Sequence, residues 1–143
     1  MIRTLASLAA TEALANQVAL LTRRGDAILL QGNLGAGKTA FARAFLRAAT
    51  GNPDLEVPSP SFTLVQSYET NLGSIHHYDL WRLPGPSALD ELGWNDARDD
   101  IVIVEWPDRL GVLTPPDHLL LSFKLASADA RTVTIDGWSG RLV

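Results

Sequence analysis

Gly32, four further residues, then Gly37, Lys38 and Thr39 form the pattern GxxxxGK[ST] within "GNLGAGKTAF". A chain of phosphates needs several backbone N–H groups aimed at one point. Side chains would block that approach and the turn demands positive φ, so glycine is the residue that fits. Lys38, which shares the chain with only one other lysine, Lys124, can reach β and γ phosphates. The Thr39 hydroxyl can ligate Mg²⁺. A helix opening at the loop adds the positive end of its dipole.

Such a loop needs acidic help. Mg²⁺ takes hard oxygen ligands, and hydrolysis needs a group that orients the attacking water. Glu105 closes the apolar run "IVIVE", and ligands of open α/β sheets bind at the carboxyl ends of strands. Asp79 sits late in "HHYDLWR". The plain alternative for each is a solvated strand-end carboxylate. "SPSFT" sets Ser59, Ser61 and Thr63 on a proline-stiffened loop. It is either a switch that closes over a γ-phosphate or a turn whose serines cap backbone groups. His76 and His77 are adjacent and face opposite ways in a strand, with His77 on the face of Asp79. A structural or hydrogen-bonding role suits both better than a metal pair. The four tryptophans are scattered and read as core or interface, because no basic stripe accompanies them as a base-stacking platform requires.

Regular elements must hold these groups. "IRTLA" predicts a short strand. Leu14, Val18 and Leu21 recur at helical spacing between about Leu8 and Arg24, and Gly25 after two arginines predicts the stop. "DAILLQ" and "DDIVIVEW" predict strands buried on both faces. "KTAFARAFLRAA" predicts a helix with Phe41, Phe45 and Ala48 along one side. "FTLVQSYE" and "SIHHYDLW" predict a hairpin across the turn "TNLG". "LPGPSALDELGW" predicts a break and a short helix with Ser87 as candidate N-cap, and "PDRLGVL" a helical turn. "HLLLSFKLA" and "RTVTIDGW" alternate as a final strand pair. Together they predict a mixed sheet with helices on its faces.

Composition sets the outer bounds. The 143 residues fit one domain. A 46% hydrophobic content supplies a core, and the absence of cysteine agrees with a reducing cytoplasm. No apolar stretch is long enough to predict a membrane span. The N-terminus reaches Glu12 without the unbroken apolar segment of a signal peptide. A soluble cytoplasmic protein is therefore expected. The formal charge of −4 argues against a surface that grips nucleic acid by itself.

The order and spacing of "GNLGAGKT", "SPSFTLV", "HHYDLWRL", "ELG" and "VEWPDR" resemble the TsaE (YjeE) family. These are small bacterial P-loop ATPases needed to make threonylcarbamoyladenosine in tRNA. The resemblance runs from about Thr11 to Arg131. It implies a three-layer P-loop NTPase fold over a single domain, 1–143, with ATP and Mg²⁺ as cofactors. The phosphate-holding set it implies is Gly35, Ala36, Gly37, Lys38 and Thr39, with Gly32, Asn33 and Ala40 in the same loop and Thr11 near the nucleotide. Metal ligands would be Thr39 with Glu105 and Asp79, and catalytic roles would fall to Lys38, Asp79 and Glu105. "SPSF" would act as the switch. The implied partners are a TsaB–TsaD pair that speeds slow intrinsic hydrolysis, with tRNA engaged only indirectly.

The chain departs from the family pattern at four places. Ala40 stands where a second threonine is common, Ser61 where threonine is usual, Trp81 where tyrosine is usual, and Asp108 where glutamate is frequent. No arginine finger is evident in cis; Arg82 and Arg109 are only candidates. A small P-loop kinase and a non-catalytic ATP-binding module are the alternatives. No separate arginine-bearing lid is visible for the kinase, and no NKxD signature for guanine.

Overall fold

The computed structural model describes residues 1–138, 140 and 141. In chain order the strands and α-helices are β1 (Ile2–Leu5), α1 (Leu8–Leu21), β2 (Ala27–Gln31), α2 (Lys38–Thr50), β3 (Val65–Thr70), β4 (Gly73–Asp79), α3 (Trp94–Ala97), β5 (Ile101–Glu105), β6 (Leu119–Leu125) and β7 (Arg131–Asp136). Two 3₁₀ segments, Pro86–Leu92 and Pro107–Leu113, flank α3 and β5.

Alternation along the central strands creates the layers. On β2, Ile28 and Leu30 enter one core while Ala27 and Leu29 enter another. On β5, Ile101 and Ile103 join the first, and Val102 and Val104 the second. A strand that is apolar at every position must be covered on both faces. Helices α1 and α2 cover the first core. The 3₁₀ segments and α3 cover the second through Leu89, Trp94, Ala97 and Leu110. The strands form one sheet in the order β1-β7-β6-β2-β5-β4-β3. Its centre, β6-β2-β5-β4, is parallel, and the outer pairs β1/β7, β7/β6 and β4/β3 are antiparallel. This is the expected mixed α/β sheet in three layers.

Local differences have local causes. Helix α1 stops at Leu21 rather than Arg24: Thr22 is extended, and its hydroxyl donates to the Val18 carbonyl at 2.7 Å, taking one of the acceptors a helix end leaves open. On α2 the buried side includes Leu46 and Ala49, while Ala48 is only half-buried. Strand β3 begins at Val65 instead of Phe62, because Leu64 at φ 69° breaks the extended run. Ser87 caps nothing. The segment starts at Pro86 after Gly85 and has no side-chain cap, and it is 3₁₀ rather than α.

Candidate functional site

Three elements end at one point. β2 leads into the glycine loop, α2 starts with Lys38, and β4 and β5 finish side by side with Asp79 and Glu105 in register. Parallel strands put their carboxyl ends together, which is why residues 26 positions apart become neighbours. A cleft of about 300 Å³ lies there, lined by Gly35, Gly37, Lys38 and Thr39 from the loop and α2, with Ser59, Ser61, Asp79, Glu105, Trp106 and Arg131.

Gly32 is required by the sheet as much as by a ligand. Its φ is +149°, and a Cβ there would stand 2.7 Å from the carbonyl oxygen of Phe123 on β6. Gly37, at φ 115°, immediately precedes α2. The exposed Asn33 takes the Ala36 N–H on its carbonyl, closing the turn at 3.1 Å. The Lys38 ammonium donates to the carbonyl of Gly32 and lies 3.6 Å from the centroid of the Trp106 ring. Burial lowers its pKa from the ordinary value, against the opposing pull of Glu105, Asp79 and Asp108. Trp106 is held at φ 59°. That conformation is uncommon for a bulky residue and is retained only where its surroundings over-determine it.

The carboxylates have different supports. One oxygen of Glu105 accepts the Thr39 hydroxyl at 3.0 Å, and the other meets Nε2 of His77 at 2.7 Å. Asp79 accepts the Trp81 N–H at 3.0 Å on one oxygen, and the hydroxyls of Ser59 and Ser61 at 3.4 and 3.3 Å on the other. The "SPSF" loop thus reaches the cleft, as a switch reading requires. Phe62 at its tip is 84% exposed and stacks under the guanidinium of Arg82 at 4.8 Å. Arg109 donates to the Leu83 carbonyl. Neither arginine lines the cleft.

Thr11 is buried on α1 and lines an adjoining cleft of about 530 Å³ that shares Gly37, Ala40 and Arg131 with the first. The structure therefore brings Gly35, Gly37, Lys38, Thr39 and Ala40 into one cleft with Asp79 and Glu105, sets Thr11 in the adjoining cleft, and leaves Gly32, Asn33 and Ala36 lining neither. Sequence reasoning missed the link from His77 to Glu105, the cover that Trp106 gives Lys38, and Arg131, whose guanidinium donates to the Gly35 carbonyl at 3.3 Å. The same-face spacing of His77 and Asp79 was the one available signal. The pairing of β4 with β5, which supplies the partner, is a matter of tertiary structure.

The donor set around Thr39 consists of a hydroxyl and two carboxylates. Those are the hard oxygens Mg²⁺ prefers, and too few to form a cage without phosphates and water. The residues present fit that ion.

Fold and cleft together define a P-loop protein of the NTPase type. The chain belongs to the TsaE family: residues 5–133 match the family described as threonylcarbamoyl adenosine biosynthesis protein TsaE. It is 39% identical over 108 residues to a tRNA threonylcarbamoyladenosine biosynthesis protein TsaE from Rickettsia felis, a match that takes in 74% of this chain and 63% of that relative's length. It is 35% identical over 125 residues to the protein of that name from Aquifex aeolicus, with 87% of each covered. Its fold is similar to the crystal structure of Bacillus subtilis YdiB, with a TM-score of 0.74 and 28% identity over 96% of this chain and 84% of the other.

Proposed function

We propose that this chain binds ATP with Mg²⁺ and hydrolyses it as the nucleotide-driven component of threonylcarbamoyladenosine formation on tRNA. The observation that carries this reading is the convergence of Lys38, Thr39, Asp79 and Glu105 in one cleft at the carboxyl end of a parallel sheet. The N–H groups of Gly35 to Thr39 hold the phosphates, with Gly32, Asn33, Ala36 and Ala40 shaping the loop. Lys38 leaves the Gly32 carbonyl to meet the β and γ phosphates. Thr39, Glu105 and Asp79 hold the cation and its waters, and the cation supplies charge neutralisation where negative charge gathers in the transferring phosphoryl group. Asp79, beside the serine loop, is placed to orient the attacking water. Thr11 and Arg131 border the space for the nucleoside. The described residues serve this one domain.

Hydrolysis by the chain alone is slow. Arg82 is stacked on Phe62, Arg109 is tied to Leu83, and Arg131 is engaged by loop carbonyls, so a cation or an ordered loop from outside would raise the rate. A TsaB–TsaD pair fills that role. The acidic balance suits contact with proteins, and leaves tRNA an indirect partner. This work is done in the cytoplasm. Among the described residues no helix is long and apolar enough to cross a membrane.

The test is calorimetric titration of ATP and GTP with Mg²⁺, followed by single-turnover hydrolysis with and without the partner pair. Lys38→Ala is expected to weaken ATP binding roughly 10–100-fold, the loss of a charge-assisted contact. Uptake and cleavage that survive this change defeat the proposal. Transfer of phosphate to an acceptor other than water makes the protein a kinase, and binding without turnover makes it a module.

A further inference from the structure

His77 has no assigned work, yet its position is unusual. Its side chain is fully buried and Glu105 is 2% exposed. Nε2 lies 2.7 Å from Oε2 of Glu105, and Nδ1 is buried with no hydrogen-bond partner. A buried polar atom without a partner is rare and calls for a reason. A proton on Nδ1 would be a donor with nothing to receive it, so the ring proton belongs on Nε2, pointing at the carboxylate. Glu105 is then held from behind on one oxygen. Its other oxygen faces the cleft and accepts the Thr39 hydroxyl at 3.0 Å.

We propose that His77 is a positioning residue that locks the Glu105 carboxylate with one oxygen turned toward the cation site. This rests on the reading of the cleft given above. His77 touches neither nucleotide nor cation. It lies between β3 and β5, in register with Gln66 and Ile103. The lock works because both groups sit on rigid strands of one sheet, so the carboxylate has one rotamer to offer. The Nε2–H orients the carboxylate from behind, since His77 itself does not line the cleft. Groups that orient a metal ligand from behind typically contribute about 10–100-fold to metal affinity or activity.

His77→Leu keeps the bulk and removes the donor. His77→Gln restores an amide donor near the Nε2 position. ATP binding in EDTA, the Mg²⁺ concentration that half-saturates hydrolysis with the partner pair, and thermal melting are measured for each. The expected result is unchanged ATP binding in EDTA, a rise in the half-saturating Mg²⁺ of about 10–100-fold in His77→Leu, and recovery of most of that loss in His77→Gln. If His77→Leu does not fold, His77→Asn carries the same comparison, since its shorter amide ends near the Nδ1 position. Equal Mg²⁺ requirements in all variants overturn the proposal, as does a Gln variant no better than Leu. So does a histidine nitrogen spectrum of the native chain showing the proton on Nδ1 of His77. Failure of the underlying reading looks different: the native chain itself would bind and cleave ATP without regard to Mg²⁺.

Discussion

Glu105 and Asp79 are register partners on adjacent parallel strands, and both are buried, at 2% and 5% exposure. Their supports could hardly differ more. Glu105 ends a strand buried at every position and is gripped by His77 at 2.7 Å and Thr39 at 3.0 Å. Asp79 accepts the Trp81 N–H at 3.0 Å on one oxygen, but on the other only long hydrogen bonds, at 3.4 and 3.3 Å, from an exposed serine and a half-buried one on a loop. One half of the cleft is set by the sheet itself. The other half is completed by serine hydroxyls on the loop between α2 and β3. Under the proposed function, the metal-facing group would stay in place while the loop beside the second carboxylate would answer to nucleotide or partner.

Glu105→Ala should show the largest effect and break both properties of its half. Single-turnover hydrolysis is expected to fall roughly 10²–10³-fold, the scale of losing one preorganised electrostatic group. The variant should also be less stable in urea by about 1–3 kcal/mol, because the Nε2–H of His77 is left buried without an acceptor. Asp79→Asn should reduce hydrolysis by about 10–100-fold with Mg²⁺ titration shifted in the same direction. Its urea midpoint should stay close to native, since water can satisfy the serines it leaves. If Asp79→Asn destabilises the fold as much as Glu105→Ala, the two halves are not different in kind.

Ser59→Ala with Ser61→Ala sharpens the contrast. Removing both hydroxyls takes away the loop's two weak hydrogen bonds to Asp79, so hydrolysis with the partner pair should drop by about 2–10-fold. ATP binding and melting temperature should not move. A double variant that loses ATP binding altogether would mean the loop is part of the fixed scaffold.

Much of this was legible in the residues. The layers follow from the unbroken apolar character of β2 and β5, and the phosphate loop from its glycine spacing with a strand before and a helix after. The positions of Lys38, Thr39, Asp79 and Glu105 in one cleft follow once parallel strands are granted. What the chain did not disclose is contact between elements distant in sequence. His77 reads as a histidine beside Asp79, whereas its partner lies 28 positions on, across a pairing that local pattern does not encode. Trp106 over Lys38 depends on a left-handed backbone at a bulky residue, which propensity argues against. Gly32 was read as room for phosphate, and the Phe123 carbonyl on β6 gives a second reason that is visible only after the strands are ordered.

The smallest effect tests whether the division stops at the sheet. Tyr78 lies between His77 and Asp79 but on the opposite face, where its hydroxyl donates to the Leu92 carbonyl at 2.9 Å and its ring meets Trp94 edge-on at 5.2 Å. Burial raises its pKa from 10.0 to about 12. The folded chain therefore holds the phenol proton over a range where the unfolded chain has released it. Stability from this group is complete below pH 10 and is lost as pH rises toward about 12. Tyr78→Phe should flatten that alkaline decline, leaving the weaker contribution of Tyr68, whose pKa is raised in the same direction by burial. At neutral pH it should lower stability by about 0.5–1.5 kcal/mol for the lost hydrogen bond. Hydrolysis and Mg²⁺ requirement should be those of the native chain, because the Tyr78 side chain packs in the second core and does not line the cleft. A shift in Mg²⁺ requirement in Tyr78→Phe would show that Asp79 and His77 are positioned through both faces of their strand.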